Sequence, residues 1–242
     1  MDAGSLIQPA LERKARPAWA ARFARSLSRK PSRQSGVAPS GSVKQDFAAL
    51  VGPEGWLRLS PLIRSRFACS AGMKDITYEG TMKSVRCSRT GYLLAQLCRL
   101  FGTPLAPFEG RDIPIEVQVH DDPEKGGVAW DRIYFFPGRK PITVTSTKVF
   151  TGDGKMLLEC VGGGFGMRLK VFEQDRKLHF RSESYFWRFA GLTVRLPDWL
   201  TPGVAHVVHS DLGSGWFRFE MTMRHRHLGE SFYQDGTFKE KE

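Results

Sequence analysis

Arg132 is the side chain of this sequence most open to a chemical reading. It lies in the run Trp130-Asp131-Arg132-Ile133-Tyr134. In an extended strand it shares a face with Trp130 and Tyr134. A guanidinium among aromatic rings is either stacked and paired to a carboxylate within the fold, or an anchor for an anionic headgroup. A second run, Tyr185-Phe186-Trp187-Arg188-Phe189, is also aromatic on both of its faces. Trp130, Arg132, Tyr134, Tyr185 and Trp187 together make a candidate binding set for a small hydrophobic or amphipathic ligand.

Other chemistry finds less support. The Gly162–Gly166 run has no following Lys-Ser/Thr pair, and the next segment alternates like a strand, so a hairpin turn or bulge is expected, not a phosphate loop. His206 and His209 would point to opposite faces of a strand, whereas His225 and His227 would share one. Arg224 and Arg226 flank the latter pair and oppose a divalent cation, so a solvated strand end is expected there. No G-x-S-x-G elbow is present. Glu159, Glu173, Glu183 and Glu220 read as exposed carboxylates paired across strands with Arg or Lys. Cys69, Cys87, Cys98 and Cys160 show neither C-x-x-C nor zinc-finger spacing, which suits free buried thiols in a reducing compartment. No catalytic residue, metal ligand or cofactor is assigned.

The elements that must position the candidate set come next. Of the 242 residues, 1–42 are rich in Arg, Ala, Ser, Pro and Gly and read as a basic, disordered tail. Residues 1–44 carry a net charge of +7 and the remaining 198 only +4, so the folded part lacks the basic face expected of a nucleic-acid binder. Trp19, Phe23 and Leu27 recur every four residues between arginines, a stripe that would suit an anionic membrane surface if helical. No apolar stretch approaches spanning length and no signal segment opens the chain. The expected location is cytoplasmic, with peripheral membrane contact through the tail as the alternative.

Residues 43–242 read as one β-rich domain. Helices are expected at 45–51, broken by Gly52, Pro53 and Gly55; from Ser60-Pro61, with Ser60 as cap; and at 90–101, with Thr90 as cap, Gly102 as stop, and Leu93, Leu94, Leu97, Leu100 and Phe101 inward. Period-two alternation predicts strands at 113–119, 167–172 and 216–223. Further strands are expected at 76–85, 129–136, 142–150, 156–161, 177–186, 192–196 and 204–208. Short Gly/Pro turns make neighbours antiparallel. The fold class is therefore α+β and β-rich: a large curved antiparallel sheet or open barrel of about ten strands, with about three helices packed on one side. Several strands are apolar on both faces. Either helices and loops cover the second face, or the sheet curls around an apolar cavity.

From Asp46 onward the chain resembles the bacterial domain-of-unknown-function family DUF4166. The resemblance rests on the order of DFAALVGPEGWLRLSPLIRSRF, the Gly80 strand, the Leu93–Leu100 helix with its Gly102-x-Pro104 turn, the strand at 113–119, Trp130-Asp-Arg132, LPDWLTP at 196–202, the WFRFEM strand and Leu228-Gly229. It implies no established activity. It does imply kinship with domains that sit beside NAD-dependent dehydrogenase-like domains, and hence a separately encoded oxidoreductase as a partner or an enzyme role as alternatives to ligand binding.

Overall fold

The computed structural model describes residues 46–68, 75–100 and 105–242, the side chains of residues 99 and 100 excepted. The expectations for the tail, for Cys69 and for a helix stop at Gly102 fall outside the described residues. The elements in chain order are α1 (Phe47–Val51), α2 (Pro53–Arg58), α3 (Pro61–Phe67), β1 (Ile76–Cys87), α4 (Arg89–Leu100), β2 (Ile113–Asp122), β3 (Gly127–Tyr134), β4 (Ile142–Phe150), β5 (Leu157–Cys160), β6 (Phe165–Gln174), β7 (Lys177–Phe189), β8 (Leu192–Leu196), β9 (Val204–Gly213), β10 (Trp216–His225) and β11 (Gly229–Glu240).

Every strand pairing is antiparallel, as the short turns require. Ten strands run β6-β5-β4-β3-β2-β1-β11-β10-β9-β7, and β6 also pairs with β7, so the sheet closes into a barrel. Closure removes the sheet edges that an open barrel would leave. The eleventh strand, β8, is extra. Leu178–Arg181 of β7 pair with β9, while Tyr185–Phe189 pair with β8. Where the β7–β9 ladder ends, the Ser182 hydroxyl accepts the Ala205 amide at 2.9 Å. The β7–β8 hairpin thus continues the barrel wall past the rim as a lip.

The first three helices among the described residues plug one end. Asp46 caps α1 and Ser60 caps α3, each side chain accepting an amide three residues on. The break expected at Gly52-Pro53 is instead a restart: Gly52 turns the chain at φ 85° and Pro53 opens α2, because a proline at the first helical position loses no hydrogen bond. Phe47 of α1 meets Phe150 edge-on at 5.0 Å, and Phe67 of α3 stacks on Trp130 at 6.1 Å, so aromatic rings fill this end.

Helix α4 lies at the other end, against β1 and β11. Its amide cap is Ser88, which accepts Gly91 N at 3.1 Å, and not Thr90 as expected. A side chain at Gly91 would meet the Ser231 carbonyl at 2.2 Å, so glycine lets the helix touch the β11 backbone. The expected inward face of α4 is only partly inward. Leu94 faces the interior, but Leu93 and Leu97 are exposed, because this helix covers the barrel mouth and does not sit in the core.

One strand escapes the sequence reading. β11 pairs with both β1 and β10, and without it the barrel does not close. The sheet therefore curls around an interior, and the second face of a strand such as β3 points outward: Trp130 and Tyr134 are buried, whereas Asp131 and Ile133 are only half-buried.

Candidate functional site

The barrel encloses a cavity of about 550 Å³. That is room for roughly 18 waters at about 30 Å³ each, too large for a packing defect. It lies within the size range of small-molecule sites. Trp130, Arg132, Tyr134, Tyr185 and Trp187 all line it. Strand alternation explains the convergence: β3 sends residues 130, 132 and 134 inward, and β7 sends 185 and 187.

Most of the lining is apolar. Met82, Met167, Met221 and Met223 contribute, with Leu94, Leu97 and Leu105 near α4. Tyr134 donates to Gln234 Oε1 at 2.8 Å. Tyr185 donates to the Gly203 carbonyl at 2.7 Å, and burial pushes its phenol up to about 12. Trp187 donates to the Gly163 carbonyl at 3.0 Å. That carbonyl lies in the short 3-10 turn Gly162–Gly164 between β5 and β6, the turn expected of the glycine run.

A polar node interrupts the apolar wall. Its residues come from adjacent register positions: Trp130 faces Ser146 across β3–β4, and Lys148 faces Glu159 across β4–β5. Ser146 Oγ donates to Glu159 Oε1 at 2.6 Å and accepts from Arg132 Nη1 at 3.0 Å. Lys148 Nζ donates to the same carboxylate oxygen at 3.4 Å, and Arg132 Nη2 lies 3.7 Å from it. Glu159 is therefore buried in the cavity wall, not exposed as the sequence suggested, because β5 turns this position inward. Burial works to raise its carboxyl, but Lys148, Arg132 and Ser146 outweigh it and hold the group below the ordinary carboxylate value. Burial pulls the Lys148 ammonium down, with Glu159 opposing. Lys148 also lies 5.1 Å from the Trp130 ring centre. Glu159 is the one carboxylate among the described residues lining the cavity, against Arg66, Arg132 and Lys148. Arg66, from α3, sits over the Phe217 ring at 3.2 Å.

The other acidic side chains follow the surface expectation more closely. Glu183 meets Arg168 at 3.0 Å across β6–β7. Glu173 meets Arg58 of α2 at 2.6 Å, and Glu220 pairs with Arg218 of its own strand at 3.3 Å. Among the histidines, His206 points outward, where its ring stacks on His179, and His209 points inward. His179 Nε2 donates to the Gln174 carbonyl at 3.2 Å, so its Nδ1 accepts from His206 Nε2 at 3.0 Å. His225 is not a solvated strand end. It is buried, and its Nδ1 accepts the amides of His227 and Leu228 at 3.2 Å, which ties the β10–β11 turn. Cys87 and Cys160 are buried; burial, then Glu109, pushes the Cys87 thiol up to about 11. Cys98 is half-buried and lines the cavity.

His209 packs edge-on against Phe67 at 5.1 Å and Phe219 at 5.5 Å, and its Nδ1 is buried without a hydrogen-bond partner. Burial, then Arg66 and Lys148, holds its pKa well below 6.5. The folded protein keeps this ring neutral while the unfolded chain protonates it, so stability present above pH 6.5 is lost as pH falls below that value. A fully suppressed imidazole costs about 1.4 kcal/mol per pH unit in this window. His209→Phe should therefore narrow the gap in Tm between pH 7.5 and pH 5.5. The residual gap reflects His179 and His206, which burial also lowers. An unchanged gap in the variant would contradict this account.

The mouth of the cavity is apolar. Leu97, Leu196, Leu200 and Trp187 line it. In the lip, Trp187 faces Val194 and Phe189 faces Leu192 across β7–β8. Leu192 is 69% exposed and Trp199, just beyond the lip, is 70% exposed.

Of the residues lining the cavity, sequence reasoning singled out the aromatic residues and Arg132 as candidates; it did not single out Ser146, Lys148, His209 and Gln234, and it placed Glu159 on the surface. A usable signal existed in β4, where Ser146 and Lys148 share the face of Ile142 and Val144. None of the described helices is long and apolar enough to cross a membrane.

Compared with known proteins, residues 59–238 match the family described as "Domain of unknown function (DUF4166)". The chain is 26% identical over 193 residues to the uncharacterized protein YndH of Bacillus subtilis (strain 168), an alignment covering 76% of this chain and 92% of that protein. No solved structure matches.

Proposed function

The chain belongs to the DUF4166 family, whose description assigns no activity, and we propose that this member is a binding protein that holds one small apolar or amphipathic molecule inside its barrel. The observation that carries the reading is the convergence of Trp130, Arg132, Tyr134, Tyr185 and Trp187 on a cavity of about 550 Å³. Small-ligand sites combine a mostly apolar wall with a few converging polar groups. Methionines on four inward positions suit an adaptable apolar wall. The apolar mouth beside α4 and the lip is the entry. Buried thiols at Cys87 and Cys160 suit a cytoplasmic setting.

Native mass spectrometry of gently purified protein tests this. A bound small molecule is expected in the wild type and not in Val207→Trp, which puts an indole into the cavity from β9. The variant's Tm should fall little, because the new ring enters open volume. Wild-type protein carrying no molecule, and taking up none of the neutral probe N-phenyl-1-naphthylamine, would overturn the reading.

A further inference from the structure

Building on the reading above, we propose that the bound molecule is an anionic amphiphile: its acidic headgroup seats on Lys148 and Arg132, and its apolar chain runs past the inward methionines to the mouth. The argument begins with charge. Two cations share one carboxylate oxygen, Glu159 Oε1, at 3.4 and 3.7 Å, so with Lys148 protonated the node carries a formal charge of +1. It is set in a wall of rings and aliphatic chains, where charge lacks the screening of bulk water. An anion restores neutrality.

The second part is donor supply. A guanidinium offers five N–H groups and an ammonium three. Arg132 spends one on Ser146, and Lys148 one on Glu159 at 3.4 Å, a long contact. Donors thus remain for a headgroup of carboxylate or phosphate type, and both cations border the cavity.

The third part is direction. Beyond the node, toward α3, Phe67 stacks on Trp130 and closes the barrel. In the opposite direction the wall passes Tyr134, Met221 and Met223 to Leu97 and Leu200 at the mouth. A headgroup at the node therefore places its chain along the apolar wall, with the chain end toward α4 and the lip.

Isothermal calorimetry with dodecanoate, dodecyl phosphate and dodecanol below their micellar concentrations tests the proposal. The wild type should bind one or both anions at least about tenfold more tightly than dodecanol, and the order of the two anions tells carboxylate from phosphate. Lys148→Met, which leaves Arg132 and Glu159 as a neutral pair, should lose about tenfold in anion affinity and keep its dodecanol affinity. Glu159→Gln should bind the anions more tightly than the wild type, an increase that a merely damaged cavity would not produce. Equal affinity for dodecanoate, dodecyl phosphate and dodecanol would overturn the headgroup assignment and leave the cavity reading standing. Binding of none of the three would overturn both.

Discussion

Glu159→Gln is expected to cost the protein about 3–5 kcal/mol, the loss typical of breaking a buried ion pair by removing one partner. The carboxylate is held between Lys148 at 3.4 Å and Arg132 at 3.7 Å, with Ser146 at 2.6 Å. Its removal leaves two cations in an apolar wall with no opposing charge. Urea titration at pH 7 would show the loss as a lower midpoint at unchanged slope. Lys148→Met should be nearly neutral, since it removes the surplus charge. Glu159→Gln should also lose a pH dependence. The Glu159 pKa is depressed in the folded state, so its contribution is present above the unfolded value of 4.5 and lost as pH falls through the folded value. That window lies below the one set by His209, so the two variants are distinguishable by pH alone. Saturating dodecanoate should return part of the stability lost in Glu159→Gln. A loss under about 1 kcal/mol would mean that the node is already solvated by water in the folded protein.

Ending the chain after Leu228 should abolish cooperative folding. β11 bonds to β1 on one side and β10 on the other. Its Phe232 and Phe238 are 2% and 3% exposed, and Gln234 receives the Tyr134 hydroxyl. Truncating one buried Phe to Ala costs about 3–5 kcal/mol. Losing two, with both ladders, exceeds the total stability of about 5–15 kcal/mol typical of a domain. Two unpaired edges would also invite aggregation. Thermal melts followed by circular dichroism should show no sigmoidal transition in the truncated chain. A cooperative melt within about 10 °C of the full chain would show that the remaining strands close without β11.

β11 also shows why part of the fold was hidden in the sequence. Its inward positions are Phe232, Gln234, Gly236 and Phe238. Half of these are not apolar, so the alternation that marks a strand is diluted. The reasons are tertiary. Gln234 is inward because Tyr134 needs an acceptor, and a side chain at Gly236 would meet Met82 Sδ at 2.6 Å. The alternation read at 113–119 and 216–223 is clean, and β2 and β10 were legible from it. The two helix caps differ in the same way. Ser60 before Pro61 is a strong local signal, whereas Ser88 and Thr90 are equally suited by type, and their hydroxyls lie 2.9 Å apart.

The candidate site divides along a similar line. Trp130, Arg132, Tyr134, Tyr185 and Trp187 stood out because large aromatics and a guanidinium are conspicuous at any alternation. Ser146 and Lys148 were less conspicuous, because β4 is polar on both faces, with Thr143, Thr145 and Thr147 on the face opposite to theirs. Glu159 looked like an ordinary surface carboxylate.

Residue type and period two alone determined that residues 43–242 are rich in antiparallel strands, that the turns are short, and which residues share a face wherever a strand runs without a register shift. These depend on neighbours within a few positions, and local sterics and solvation settle them. Tertiary structure decided the rest. The pairing of β6 with β7 and of β1 with β11 turned an open sheet into a closed barrel, because closure depends on contacts far apart in sequence. The same closure brought Arg132, Ser146, Lys148 and Glu159 onto one wall, and made the second apolar question of the strands a question about an interior.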